Sequence, residues 1–364
     1  MRIAIISGEN YGTNYFRGAL VKRAIDRWGA RVGVEAMFCS AFPTNLLEPS
    51  AGIDVFYFLR PTFDHPIDLL HKIKRAGKPL VIDYDDDLFN VPAWSPAAQT
   101  FEIGSVRSYY KHALAAADLV TTTTKAASRI VGSYSGAESR VIPNAFDREH
   151  KLFRPMPQWV DGGTPNIGWS GGSQHSEDLK ALEPVFMECL RRGYGLTFVG
   201  DGPRFLRGMS PKHRVAWVPG NHNVEMYQQH MPLAGFDVGL APVLDIPFNH
   251  SKSALKFAEY SWLCGVPAVV SDIPCYAEVV PDGKRAFKVK GWEVSSWMDA
   301  IEAGIETTKE EGRRYILHGQ YDLENTWKQW VGAFADAYRI VRGADPLCRA
   351  AAAGFVNETA PVGA

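Results

Sequence analysis

Short runs of consecutive apolar residues alternate along this chain with stretches in which apolar positions recur every three or four residues. The runs at 2–7 (RIAIIS), 32–39, 55–59, 79–83 (PLVID), 119–123 and 140–142 read as buried strands, and 16–28, 66–76, 105–117 and 125–132 as helices. That alternation predicts a parallel sheet with helices on both faces. After Asp147 the pattern changes. Residues 148–164 are polar, contain Pro155 and Pro157, and end in Gly162-Gly163, which is linker composition. A second cycle starts at Asn166, with strands at 195–199, 215–218 and 236–241 and helices at 224–231, 294–309 and 323–341. The chain therefore reads as two α/β domains, 1–147 and 165–320, joined by the 148–164 linker. An Ala/Gly-rich tail at 343–364 is expected to fray.

Composition narrows the class without naming it. At 364 residues there is room for two cores. The net charge of −1 gives no overall attraction to nucleic acid or anionic lipid. Cys39, Cys189, Cys264, Cys275 and Cys348 are scattered with no C-x-x-C pair, which fits a reducing cytoplasm better than a disulfide framework or a zinc site. The opening apolar run is too short for a signal peptide, and no stretch reaches the ~20 apolar residues of a membrane span.

The chemistry concentrates at 248–272 (FNHSKSALKFAEYSWLCGVPAVVSD). This segment predicts a polar turn, a helix, a Gly-Val-Pro break, a buried strand and a terminal acid. Lys252, Lys256 and Glu259 stand four and then three apart, which puts them on one helix face opposite a core stripe of Leu255, Ala258 and Trp262. The span from Lys252 to Glu259 is about 10 Å at roughly 1.5 Å per residue, close to the reach from a diphosphate to ribose hydroxyls. A helix N-terminus favours phosphate, and a carboxylate accepts two hydrogen bonds from a vicinal diol. The plainer reading of Lys256 and Glu259 is a surface ion pair.

Three further places carry candidate chemistry. Gly8 and Gly12 flank a loop after the first strand, suited to close backbone approach to a ligand or to a tight turn. DYDDDLF (83–89) follows a strand at the end where α/β sheets bind ligands. Asp85 there would steer an acceptor hydroxyl. A second reading holds Mg²⁺ or Mn²⁺ on a D-x-D pair, Asp83/Asp85 or Asp85/Asp87, against a diphosphate, and a third makes the run a helix-capping acidic turn. NIGWSGGSQHSEDL (166–179) is a strand, a Gly171-Gly172-Ser173 turn and a helix start, with His175 at its mouth and Asp178 in the first turn.

In this order, VIPNAFD (141–147), IGWSGGSQHSEDL, FVGDGP (198–203) and FNHSKSALKFAEYSWLCGVPAVVSDIPCYAEVV resemble the GT-B glycosyltransferases, specifically the retaining, nucleotide-sugar-using group. The resemblance covers most of the chain and is most specific in the second half. It implies two Rossmann-like domains facing across a cleft, with 321–342 crossing back to the first. It places Glu259 on the donor ribose. Ser251 stands where the family has a sugar-contacting glutamate. Ser251, Lys252 and Ser253 would meet the diphosphate, Gly220 and Asn221 the nucleobase, and His175 would replace one of a missing basic pair. The donor is then a UDP- or GDP-linked sugar, with Lys252, His175 and Asp85 as the catalytic set, Gly12, Gly171, Gly172, Ser173 and Lys256 lining the site, and no metal required.

The acceptor is read first as a glycan or small hydroxyl compound. Short chains with an IGW…H…D turn also look like phage-type enzymes that glycosylate hydroxymethylated DNA bases. Lys72, Lys74, Arg75 and Lys78 would supply a basic patch for DNA, and Tyr109 and Tyr110 stacking rings. A nucleotide-sugar epimerase and a non-catalytic sugar-nucleotide binder are the remaining alternatives.

Overall fold

The computed structural model describes residues 1–7, 12–40, 42, 44–61, 67–101, 104–149, 163–280 and 285–343. Gly8, Pro66, Pro155, Pro157, Gly162, Cys348 and the 344–364 tail lie outside the described residues. Contacts group the chain into two units. One holds Met1–Leu88, Phe101–Arg148 and the described residues from Gly319 onward, and the other holds Phe89–Thr100 and Glu149–His318. Phe89–Thr100, expected in the first domain, belongs with the second unit.

In the first unit, six parallel strands run in the order β2-β1-β3-β4-β5-β6: β1 Arg2–Ile6, β2 Glu35–Cys39, β3 Val55–Leu59, β4 Leu80–Tyr84, β5 Leu119–Thr122 and β6 Glu138–Val141. Every residue of β3 and β4 is buried, as a strand covered on both faces requires. The helix Leu323–Arg342 supplies part of that cover. Its Trp330 and Phe334 rings lie 5.6 and 5.2 Å from Tyr57, and Trp327 lies 5.6 Å from Trp28. Asp322 caps this helix, and its other carboxylate oxygen accepts from Arg148 at 2.5 Å.

At the centre sits a salt bridge with no exposure on either side. Arg17 occupies a π-helical turn, Asn14–Ala19, where a uniform helix is expected over 16–28; the α-helix proper is Leu20–Trp28. Its guanidinium donates to both Asp83 oxygens at 2.9–3.2 Å and to the Ile142 carbonyl at 2.5 Å, and it lies 4.5 Å from the Trp330 ring. Thr121 donates to Asp83 at 2.6 Å. This pair ties the opening helix, two strands and the closing helix into one core.

The second unit has its own six parallel strands, β7 Asn166–Gly171, β8 Gly195–Gly200, β9 Val215–Val218, β10 Val238–Ala241, β11 Ala268–Ser271 and β12 Ala286–Val289, ordered β12-β11-β10-β7-β8-β9. β12 was not expected. It is four residues long at the sheet edge, and Lys288 interrupts its apolar sequence. Among the described residues, no helix is long and apolar enough to cross a membrane.

The buried pair yields the first prediction. Arg17→Met leaves the Asp83 carboxylate in the core without its cation, and should lower the unfolding free energy by about 3–5 kcal/mol in a urea titration. Arg17→Met/Asp83→Leu should recover most of that loss. A single variant within 1 kcal/mol or so of the parent would remove the pair from its central role.

Candidate active site

Strand order in the second sheet reverses between β7 and β10. Connections leave in opposite directions at such a point, and a crevice opens at the carboxyl ends of the two strands. β7 ends there in Ser170-Gly171. Gly171 pairs with Gly200 of β8, and a Cβ on Gly200, which has φ +95°, would stand 2.2 Å from the Gly171 carbonyl. A Cβ on Gly171 would reach 2.7 Å from the Trp169 ring, and one on Gly220 would lie 3.1 Å from Gly200 Cα. Three backbones thus approach without side chains between them. Asn221 shapes the next turn, its side-chain oxygen accepting from Asn223 N at 2.8 Å.

Glu259 lies on the helix that follows β10 and is 2% exposed. Its Oε2 accepts from Lys256 Nζ at 2.8 Å and from Tyr227 OH at 3.1 Å. Tyr227 also reaches Ser170 Oγ at 3.0 Å, and Lys256 Nζ lies 3.1 Å from the Tyr227 hydroxyl. Tyr260 closes the ring, accepting from Ser170 N at 3.2 Å and donating to the Leu240 carbonyl at 2.8 Å. The Lys256–Glu259 pair is therefore not a surface ion pair. It is the centre of a polar cluster joining β7, β10 and two helices.

The helix itself departs from expectation. The α-helix is Leu255–Glu259, and it continues as a π-helical turn, Tyr260–Cys264, before Gly265 at φ 64°. Lys252 precedes it rather than sharing its face. The Ser251 hydroxyl donates to the Phe248 carbonyl at 3.1 Å and Lys252 N to the Asn249 carbonyl at 3.3 Å, so the chain first completes the short helix Pro247–His250. The buried stripe is Phe257, Ala258, Ser261 and Cys264, because the wide turn rotates the later residues; Leu255 and Trp262 are only partly buried. Ser251 is fully buried, so its hydroxyl is turned from solvent, while Ser253 is half-buried. Lys252 Nζ rests 4.4 Å from the Phe248 ring centre.

His175 closes the short 3₁₀ turn Ser173–His175, just ahead of the helix Ser176–Ala181. Its Nδ1 lies 2.7 Å from Asp178 Oδ2, and Asp178 Oδ1 accepts from Leu244 N at 2.8 Å. Asp178 thus fastens the β7 loop to the β10 loop. Burial pushes the His175 imidazole below its ordinary range. Asp178 works against this, and the charges of Lys252 and Lys256 add to it. Both lysines are thus close enough to His175 for their charge to act on it. With Nδ1–H donating to Asp178, the neutral ring carries its lone pair on Nε2.

In the first unit the switch point lies between β1 and β3. Asp85 accepts there from Thr13 Oγ1 at 2.8 Å and from Arg60 Nε at 2.5 Å, while Arg60 Nη2 donates to Asp86 at 2.7 Å. Burial works to raise the Asp85 carboxyl, but Arg60 and Thr13 prevail and hold it below the usual carboxylate range. Gly12 has open space around its Cα. The acids of DYDDDLF diverge. Asp83 is buried against Arg17, Asp85 faces Arg60, and Asp87 is buried beside Tyr84 OH at 3.2 Å. The two acids of each D-x-D pair thus have different partners, and no cluster of three or more potential metal ligands occurs among the described residues.

Sequence reasoning missed Tyr227, Ser170, Arg60 and Thr13. Arg60 carried a signal, a lone charge at the carboxyl end of a fully buried strand. Tyr227 carried none, because its role comes from packing.

Searches of solved structures place this architecture firmly. HepE of Anabaena, solved in complex with UDP, matches with a TM-score of 0.61 at 16% identity, over 92% of this chain and 100% of its own. Sucrose-phosphate synthase of Thermosynechococcus elongatus matches with a TM-score of 0.62 at 15% identity, over 93% and 99%. A putative UDP-N-acetylglucosamine 2-epimerase of Listeria monocytogenes matches with a TM-score of 0.56 at 10% identity, over 93% and 96%. The fold is GT-B, two Rossmann-like α/β units. No protein-family model matches the sequence, and no curated protein matches it.

The cluster predicts how His175 titrates. Its imidazole should titrate below the ordinary histidine range in an NMR pH series. Lys252→Ala, by removing a positive neighbour, should move that midpoint up, and Asp178→Asn should move it down. A midpoint indifferent to Lys252 would separate the two residues.

Proposed function

We propose that this protein is a glycosyltransferase that moves a sugar from a nucleoside diphosphate sugar to a hydroxyl acceptor. The observation that carries the reading is the buried Glu259, held by Lys256 and Tyr227 beside Ser170 at the end of β7, at the β7/β10 switch point. The helix carboxylate fits the ribose. Its Oε2 is taken by Lys256 and Tyr227, and among the described residues no side chain donates to Oε1. Lys252, Lys256 and the Gly171-Gly172-Ser173 backbone suit the diphosphate, and the Gly220-Asn221 turn suits the base. The complex of HepE with UDP favours a uridine donor.

In the reaction, the acceptor oxygen bonds to the anomeric carbon as the bond to the diphosphate breaks, and the diphosphate leaves with the electron pair. Fixed positive charge at the departing oxygens lowers that barrier. The acceptor proton goes to a base, for which Asp85, held ionised by Arg60, is the candidate. Retention at the anomeric carbon rests on the resemblance alone. His175 adds a pH-dependent element. Its neutral ring offers no N–H at Nε2, so donation to a phosphate oxygen requires uptake of a proton.

An epimerase is the second reading, favoured by the Listeria likeness. It would convert the donor sugar with no acceptor present. For DNA as acceptor, Lys72 and Arg75 are exposed, but part of the expected patch is engaged elsewhere. Tyr110 is 1% exposed, Lys74 is paired with Asp118, and Lys78 donates to the Ile53 carbonyl.

A thermal-shift screen of nucleotides and nucleotide sugars tests the donor reading. UDP at a hundred times its Kd should add about 2.7 kcal/mol of stability. Glu259→Ala should lose most of that shift; an unchanged shift would remove the ribose assignment. UDP binding should also take up as much as one proton between the free and bound pKa of His175, so affinity falls as pH rises through that window. Calorimetry in buffers of different ionisation enthalpy measures the uptake, and His175→Gln should abolish it.

A further inference from the structure

A pocket of about 380 Å³ in the second unit shares only Ser173 with the donor chemistry above. It lies between the start of the helix Ser176–Ala181, the loop after β8, and Trp94 from the Phe89–Thr100 segment. Trp94 is 40% exposed, an unusual position for an indole without a partner surface. Phe205 is the second ring in the lining. Arg204, Arg207 and Asp201 line it as well, and among the described residues their side chains form no hydrogen bond or ion pair.

The charge around this pocket is balanced. Lys180, Arg204 and Arg207 face Glu177, Glu183 and Asp201, three of each sign. A phosphate or nucleotide site would carry a surplus of cations. A neutral ligand rich in hydroxyls, with one apolar C–H face, needs donors, acceptors and an aromatic face together. The indole offers a negative π-face to polarised C–H groups, and the carboxylates and guanidinia bind hydroxyls on either side. The volume is at the lower end for ligand pockets, enough for one or two sugar rings. Ser173, next to Gly172 in the donor-side loop, also lines it, and Trp94 follows Asp85 by nine residues.

We propose that this pocket is a carbohydrate subsite in which Trp94 stacks on a glycosyl unit of the acceptor, away from the hydroxyl that reacts. This rests on the transferase reading for its meaning but not for its test. Saturation-transfer NMR with maltotriose, cellotriose and chitotriose should detect binding of at least one to the full chain. Trp94→Ala should weaken that binding roughly tenfold or more while leaving the UDP thermal shift intact. Arg207→Ala, an exposed and unpaired position, should weaken it without any risk to folding. Oligosaccharide binding that ignores both variants overturns the proposal, as does a chain that responds to UDP but to none of the three sugars. Inorganic phosphate protection that is lost in Arg207→Ala, with no sugar bound, also overturns it and marks an anion site. Trp94-dependent sugar binding in a chain that does not respond to UDP would keep the subsite and remove the donor reading.

Discussion

A carboxylate that is 2% exposed keeps its charge only if donors surround it, and that constraint organises the second unit. Glu259 has two, Lys256 from the preceding helical turn and Tyr227 from a separate helix. Each donor brings its own attachments. Tyr227 and Lys256 reach Ser170 at the end of β7, and Tyr260 fixes Ser170 N to the Leu240 carbonyl of β10. One buried charge thereby sets the positions of two strand ends and two helices. The same network engages Oε2 of the carboxylate and, among the described residues, leaves Oε1 without a side-chain donor.

Topology explains why the cluster falls where it does. A parallel sheet whose connections diverge at one point leaves that point uncovered, and both units have such a point. In the second, glycines at 171, 200 and 220 let the ends of β7 and β8 and the turn after β9 approach closely beside that point. In the first, Arg17 and Asp83 neutralise each other in the core, and Arg60 then meets the next acid out, Asp85. Arg60 itself sits at φ +39°, a backbone state that non-glycine residues rarely adopt. Its two contacts to Asp85 and Asp86 hold it there.

Much of this was legible in the sequence, and the failures have physical causes. Eleven of the twelve strands were expected, the central ones as apolar runs because both their faces are covered; the edge strand β12 escaped. Lys256 and Glu259 were found from helical spacing because they do share a helix. Lys252 was placed on the same face wrongly. Ser251 hydrogen-bonds backward to Phe248, and the helix begins only at Leu255. The acids after β4 offered D-x-D ligand pairs by spacing alone. The strand ends at Tyr84, however, and the three carboxylates take three different partners. Tyr227 and Trp94 were invisible, since no local pattern records which distant surface a single ring will meet.

Charge separates the two switch points. Around β7 and β10 the ionisable groups are Lys252, Lys256 and His175 against Glu259 and Asp178, and the lysines act on His175 from outside its own helix. Around β1 and β3 they are Asp85 and Asp86 against Arg60 alone. With His175 neutral, the two lysines of one switch point balance its two carboxylates, while at the other Arg60 holds Asp85 below the usual carboxylate range. The Arg60 ion pairs work against the burial that would otherwise raise the Asp85 carboxyl, so a charged acid persists there at 10% exposure.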